Sequence, residues 1–273
     1  CLFVGLINSF ALYAADDIVM ATAHVHGDDE PVATPMAELA PRQPVTGAPV
    51  EYATVGGKPV TGYLARPVDA ADNAPALIVI HEWWGLNDNI RRVTERLAGE
   101  GYTALAVDLY LGDVADNPKQ AVQYMQGLMG DVDTANENLR AAFAYLENEA
   151  GAPSIGVVGW CLGGQWSLRT ALLLPEQIDA AVIYYGSLNT DPDALATLQM
   201  PVMGNFAEND PLIPLDSVEA FRSTLESQGK NVDVKVYKGA KHAFSNPSGT
   251  AYDAEAAADA WTRTTGFFAA HLK

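Results

Sequence analysis

Cysteine is nearly missing from this chain: of 273 residues, only Cys1 and Cys161 carry a thiol. One disulfide is the most they allow, and it would consume a thiol that the motif described below needs. Cys161 is therefore read as free. Basic residues are scarce too, with 16 Lys and Arg against 34 Asp and Glu and a formal net charge of -18. No basic run offsets this balance, so a polyanion such as a nucleic acid is excluded as a partner. Long apolar runs are short of what a membrane span needs. The most apolar stretch, residues 2–15, is too short to cross a bilayer, and stable membrane insertion is not expected. No internal repeat is evident. What the chain does have is 49% hydrophobic residues, enough for one large α/β domain with a well-buried core.

The apolar stretch has the length of a signal h-region, and the A-x-A pattern Ala21-Thr22-Ala23 follows it. Export to a periplasm or the exterior is the preferred reading. The alternatives are a cytoplasmic protein with an apolar helix docked on its body, or a lipoprotein acylated at Cys1. Residues 24–49 are rich in Pro, Ala, Asp and Glu without a period and read as a linker or wrapping tail. His24 and His26 form H-x-H there, followed by Asp28, Asp29 and Glu30. A solvated tail is preferred to a metal site, since no flanking scaffold fixes the ligands. The expected division is a leader and tail over residues 1–45 and a catalytic domain over 46–273.

From there the chain alternates. Residues 60–65, 77–80, 103–107, 155–158, 181–185, 202–206 and 232–237 read as strands. Residues 90–98, 119–129, 134–146, 215–225 and 254–272 read as helices. Strands separated by helix-length segments predict an α/β fold, a mainly parallel sheet with helices on both faces.

The most informative motif is Gly159-Trp160-Cys161-Leu162-Gly163-Gly164, which follows the apolar run 155–158 and precedes a helical segment. A strand–turn–helix junction with small residues on both sides of a nucleophile is a nucleophile elbow, here with cysteine in the place where serine is usual. A thiol needs a base. His242 lies just after the last strand, in Gly239-Ala240-Lys241-His242-Ala243-Phe244, where ligand-facing loops of a parallel sheet sit. Hydrolases of this architecture run nucleophile, acid, histidine in chain order. Asp210, in a loop after the strand 202–206, is the preferred acid. Glu208 is its competitor, while Asp191 and Asp193 are expected to begin a short helix around Pro192.

His81-Glu82-Trp83-Trp84-Gly85 leaves the strand 77–80 at the same edge. Acyl transfer needs two donors aimed at the developing oxyanion. The backbone N–H groups of Leu162 and Trp83 are the candidates. Glu82 among tryptophans is either a desolvated active-site carboxylate or a salt-bridge partner of Arg91 or Arg92. No step in such chemistry calls for a metal or a cofactor.

Taken together, Glu82 with Gly85, Asp108-Leu109-Tyr110, the Gly-x-Cys-x-Gly-Gly elbow, Tyr184-Tyr185-Gly186, Asp210 and His242-Ala243-Phe244 resemble the dienelactone hydrolase family of α/β-hydrolases. The likeness runs in order over roughly residues 50–270. It implies the α/β-hydrolase fold and a Cys161–Asp210–His242 triad. It also implies that Glu82 holds the resting thiol away from His242 until substrate displaces it. The family's carboxylate-binding arginines are missing: none occurs between Arg96 and Arg140, where Gln120 is the approximate match, and the second position is Asn246. An uncharged small-molecule ester or lactone is therefore expected, hydrolysed through an acyl-thioester. Tyr110, Tyr124, Met125, Tyr185, Phe244, Asn246 and Trp83 could line its pocket or simply pack. Polyester or thioester hydrolysis is one alternative. A non-catalytic binding protein is another, but its signature would be a broken triad.

Overall fold

The computed structural model describes residues 15–70 and 73–273. Eight strands form one sheet in the order β1-β2-β4-β3-β5-β6-β7-β8. They are β1 (Val45–Val55), β2 (Lys58–Pro67), β3 (Ala76–Ile80), β4 (Thr103–Val107), β5 (Ile155–Trp160), β6 (Ala180–Tyr184), β7 (Val202–Asn209) and β8 (Val232–Lys241). β1 and β2 pair antiparallel, as do β2 and β4, and every later neighbour is parallel. The α/β expectation holds. β3, β4, β5 and β6 are apolar without alternation because both of their faces are covered.

Helices connect the parallel strands: α3 (Asp88–Gly99), α4 (Pro118–Gly130), α5 (Val132–Ala144), α6 (Leu162–Leu173), the short α7 (Pro192–Ala196) and α8 (Leu215–Ser227), and α9 (Ala254–Leu272) follows the last strand. The α5 helix ends in a π-helical turn, Tyr145–Glu149. Asp191 caps α7, as its sequence implied, by accepting from the Asp193 N–H. After β3 the chain moves to β4 on one side, then returns to place β5 on the other. The carboxyl ends of β3 and β5 therefore flank the switch point of the sheet, where a crevice opens. Those ends carry Glu82 and Cys161.

The last residues of the expected tail, 45–49, and the unassigned residues 50–55 instead form β1, the edge strand. The β1–β2 turn explains the hairpin: Gly56 and Gly57 have φ of 55° and 79°, the backbone that a two-residue turn between twisted strands demands. Upstream, α1 (Ala15–Val25) packs on α4, and α2 (Pro35–Glu38) packs on α3. Residues 1–14 of the apolar leader lie outside the described residues, while Ala21-Thr22-Ala23 falls within α1. Among the described residues, no helix is long and apolar enough to cross a membrane.

Candidate active site

Cys161 stands between β5 and α6 with φ of 55° and ψ of -117°, a strained conformation for a residue with a side chain. Backbone bonds hold it there. Its N–H donates to the Tyr184 carbonyl at 3.0 Å, and its carbonyl accepts from Gly164 N at 3.0 Å and Gln165 N at 3.2 Å. The turn is possible only because strand and helix nearly touch. A Cβ on Gly159 would lie 2.1 Å from the Gly163 carbonyl oxygen, and one on Gly163 would lie 2.3 Å from the Ile80 carbonyl oxygen. Leu162 is the first residue of α6, so its N–H belongs to the helix's N-terminal donors that have no acceptor within the helix.

The imidazole of His242 faces the sulfur: Nε2 lies 3.1 Å from Cys161 Sγ. Its Nδ1 lies 2.7 Å from Asp210 Oδ2. The other oxygen of Asp210 accepts from Leu212 N at 2.8 Å and Ile213 N at 3.1 Å. These two backbone donors fix the carboxylate's orientation and leave Oδ2 for histidine. An ionised carboxylate only accepts, so Nδ1 carries the proton and Nε2 is free to take one from sulfur. All three side chains are buried. Burial opposes charge on His242, but the adjoining Cys161 sulfur and the Asp210 carboxylate outweigh it and raise its pKa well above the usual histidine value. The arrangement favours the protonated, imidazolium form of His242. Glu208 is exposed and turns away, accepting from Gly239 N at 2.8 Å.

Glu82 is fully buried, and neither carboxylate oxygen has a partner in hydrogen-bond geometry. The salt-bridge alternative fails. Arg91 pairs with Asp88 at 2.8 Å, and Arg92 is exposed. Burial pushes the Glu82 pKa up to about 7, against nearby donors at Ser248 that pull it down. The sulfur lies on the histidine side, and Glu82 makes no hydrogen bond to it. The structure thus has the Cys161–His242 contact made, rather than the withheld thiol that the family resemblance implied. Glu82→Gln carries a testable consequence. The unfolded carboxyl ionises near its ordinary value of 4.5, the buried one only near 7. Wild-type stability relative to the variant is therefore greatest below pH 4.5. It falls by on the order of 3 kcal/mol as pH rises through 7. Denaturant titrations of both proteins at several pH values measure it, and a pH-independent difference would contradict a buried neutral carboxyl.

His81 is also buried. Its Nδ1 donates to the Glu82 carbonyl at 2.7 Å, and its Nε2 accepts from Leu109 N at 3.2 Å. Burial lowers its pKa to about 4, so it is a neutral brace between two loops. Trp83 is buried against Trp84 and His26, and its carbonyl accepts from the Tyr110 hydroxyl at 3.0 Å.

A small cavity beside the sulfur is shared by Cys161, Leu162 and His242, with Met125 and Tyr185 among its walls. The other expected pocket residues lie elsewhere. Tyr110 and Tyr124 line a separate cavity of about 310 Å³. Phe244 packs beneath Tyr185, with ring centroids 5.0 Å apart. Asn246 accepts from the Tyr185 hydroxyl at 3.0 Å. Phe244 and Asn246 thus brace Tyr185 from behind. Gln120, the match for a missing arginine, accepts from Asp116 N at 3.0 Å at the start of α4.

The tail supplies what sequence reasoning missed. His26, expected in solvent, is 5% exposed, with its ring 5.3 Å from that of His242 and 5.4 Å from that of Trp83. It is buried because the strand-like segment after it is stapled to the loop carrying His242. Asp29 accepts from Thr250 Oγ1 at 2.7 Å, Thr34 Oγ1 donates to the Asn246 carbonyl at 2.7 Å, and Gly249 N donates to the Val32 carbonyl at 2.9 Å. Burial raises the Asp29 pKa, but bonds from His26 and Thr250 outweigh it, leaving it lowered. No local periodicity announces these long-range bonds. The H-x-H pattern was the one visible signal. Among the described residues, no cluster of three or more His, Cys, Asp or Glu side chains could hold a metal ion.

Comparison with known proteins points one way. The model of the dienelactone hydrolase family matches residues 60–272. Protein usf of Aquifex pyrophilus is 35% identical over 233 residues, covering 83% of this chain and 99% of its own. A protein of Aquifex aeolicus (strain VF5), provisionally named a carboxymethylenebutenolidase, is 33% identical over 234 residues, covering 83% of this chain and 100% of its own. A Klebsiella pneumoniae crystal structure, provisionally described as a dienelactone hydrolase, superposes with a TM-score of 0.74 at 27% identity, covering 83% of this chain and 99% of that one. A dienelactone hydrolase-like promiscuous phosphotriesterase from metagenomic libraries shares the fold, with a TM-score of 0.76 at 23% identity over 84% of this chain and 99% of that one.

Proposed function

Because this chain belongs to the dienelactone hydrolase family, we propose that it is a cysteine-dependent hydrolase of uncharged carboxylic esters or lactones. One observation carries this reading: Cys161 Sγ sits 3.1 Å from a buried imidazole whose far nitrogen is held by Asp210.

The thiolate of Cys161 attacks the carbonyl carbon, forming the C–S bond. The oxyanion takes the N–H groups of Leu162 and Trp83. His242 gives its proton from Nε2 to the departing alkoxide as the C–O bond breaks. Water then enters, His242 removes its proton, and the hydroxide oxygen bonds the acyl carbon. The C–S bond breaks and restores the thiolate beside imidazolium. Asp210 holds the ring throughout and does not itself take the proton. The uncharged substrate follows from the missing arginines, in whose places Gln120 and Asn246 carry no charge and have their side-chain oxygens engaged within the protein.

The acyl-enzyme is the testable species. Quenching turnover of p-nitrophenyl acetate in acid and mapping peptides by mass spectrometry should find one acetyl group on Cys161, released by hydroxylamine. Turnover that leaves Cys161 unmodified under rapid quench, with the acetyl group elsewhere or absent, would exclude the thioester route.

A further inference from the structure

The space left beside the nucleophile is about 20 Å³ for the centre of a water molecule, roughly one water's worth. The reacting carbonyl must occupy this place, because Cys161, Leu162 and His242 all border it. After the alcohol departs, the acyl chain is what remains on the sulfur, so the walls act on the acyl chain. One wall comes from α1: Ile18 and Thr22 line the cavity together with Met125 of α4, on which α1 packs. Both are buried, at 9% and 3% exposure, while Met20 on the other face of α1 is 60% exposed. The Thr22 hydroxyl donates back to the Ile18 carbonyl at 2.8 Å, so its polar atom is satisfied within the helix. The wall is therefore mainly apolar, and it excludes bulk without recognising a polar group.

This wall is anchored. Immediately after α1, the segment 26–34 is bonded to the loop 245–250 through Asp29, Val32 and Thr34, and Asn89 Nδ2 donates to the Pro31 carbonyl at 3.1 Å. It also lies outside residues 60–272, which the family model matches. A part of the chain outside the family-model match thus closes the acyl side.

We propose that Ile18 and Thr22 of α1 set the acyl-size limit of this enzyme, restricting it to esters of acetyl-sized acids. The proposal rests on the reading that Cys161 is the acylated group. In a packed apolar pocket, a mismatch of one methylene changes discrimination by roughly 10–200-fold. Wild-type kcat/KM should therefore fall at least about 10-fold from p-nitrophenyl acetate to p-nitrophenyl hexanoate. Ile18→Ala should raise the hexanoate-to-acetate ratio by about 10-fold or more, and Ile18→Phe should lower the propionate-to-acetate ratio.

A second readout needs no hydrolysis: alkylation of Cys161, located by peptide mapping, with iodoacetamide and with the bulkier N-benzylmaleimide. The ratio of bulky to small reagent should rise in Ile18→Ala and fall in Ile18→Phe. Circular dichroism checks that both variants are folded. If Ile18→Ala loosens α1 altogether, the pocket opens and the ratios still rise. Equal wild-type rates on acetate and hexanoate, or alkylation ratios unmoved by both variants, would overturn the proposal. Alkylation ratios that shift while Cys161→Ala retains esterase activity would instead uphold the wall and reject the acyl-cysteine.

Discussion

Cys161→Ala is expected to reduce p-nitrophenyl acetate hydrolysis to near background, a loss of about 10⁴-fold or more. Removing Sγ removes the atom to which the acyl carbon bonds, and nothing else in the site stands at 3.1 Å from His242 Nε2 as a nucleophile. The fold should survive, because the elbow is held by the backbone N–H and carbonyl of residue 161 rather than by its sulfur. Cys161→Ser should retain a small fraction of activity. A hydroxyl does not form the ion pair that raises the His242 pKa, so the base must remove its proton during attack. Steady-state rates with thermal melts as control measure both. Alanine activity at the wild-type level would end the cysteine mechanism.

Asp210→Asn should lower kcat by roughly 10²–10⁴-fold, with little change in volume. The direction follows from the turn around residue 210. Leu212 N and Ile213 N both donate to Oδ1, so in the variant the amide oxygen keeps that place. The amide NH₂ is then directed at His242 Nδ1, where it donates. Nδ1 must accept and loses its proton, and Nε2 carries one instead. That tautomer cannot take a proton from sulfur. Nitrogen chemical shifts of the imidazole report the tautomer directly. A variant with full kcat, or with Nδ1 still protonated, would contradict the role given to Asp210.

The parts of this molecule that could be read from its residues are those where a local constraint is severe. Gly159 and Gly163 flank Cys161 because no Cβ fits between strand and helix, and such a constraint leaves a motif. The buried strands β3, β4, β5 and β6 announce themselves as unbroken apolar runs. His242 and Asp210 follow from strand ends and chain order. β1 was missed because most of this edge strand faces water, with only Tyr52 and Val55 buried, and Gly47 and Pro49 interrupt its first half as they would a loop. Ile18, Thr22 and His26 were missed because their burial depends on partners far along the chain. Glu82 was ambiguous in sequence, since two arginines lie within helical reach. Only coordinates show Arg91 engaged with Asp88. Phe244 and Asn246, expected in the substrate pocket, instead contact Tyr185, a direction set by packing that their place in the sequence does not reveal.

The staples between Thr34 and Asn246 and between Asp29 and Thr250 join positions 212 and 221 residues apart. Closing so wide a loop has a large entropic cost and little local encouragement. During vectorial synthesis the early segment has no dock until almost the entire polypeptide has emerged. Maturation of the reactive thiol's enclosure is thus deferred to the final stage of biogenesis, and until then the sulfur on its elbow lacks the cover that α1 and the segment behind it later provide.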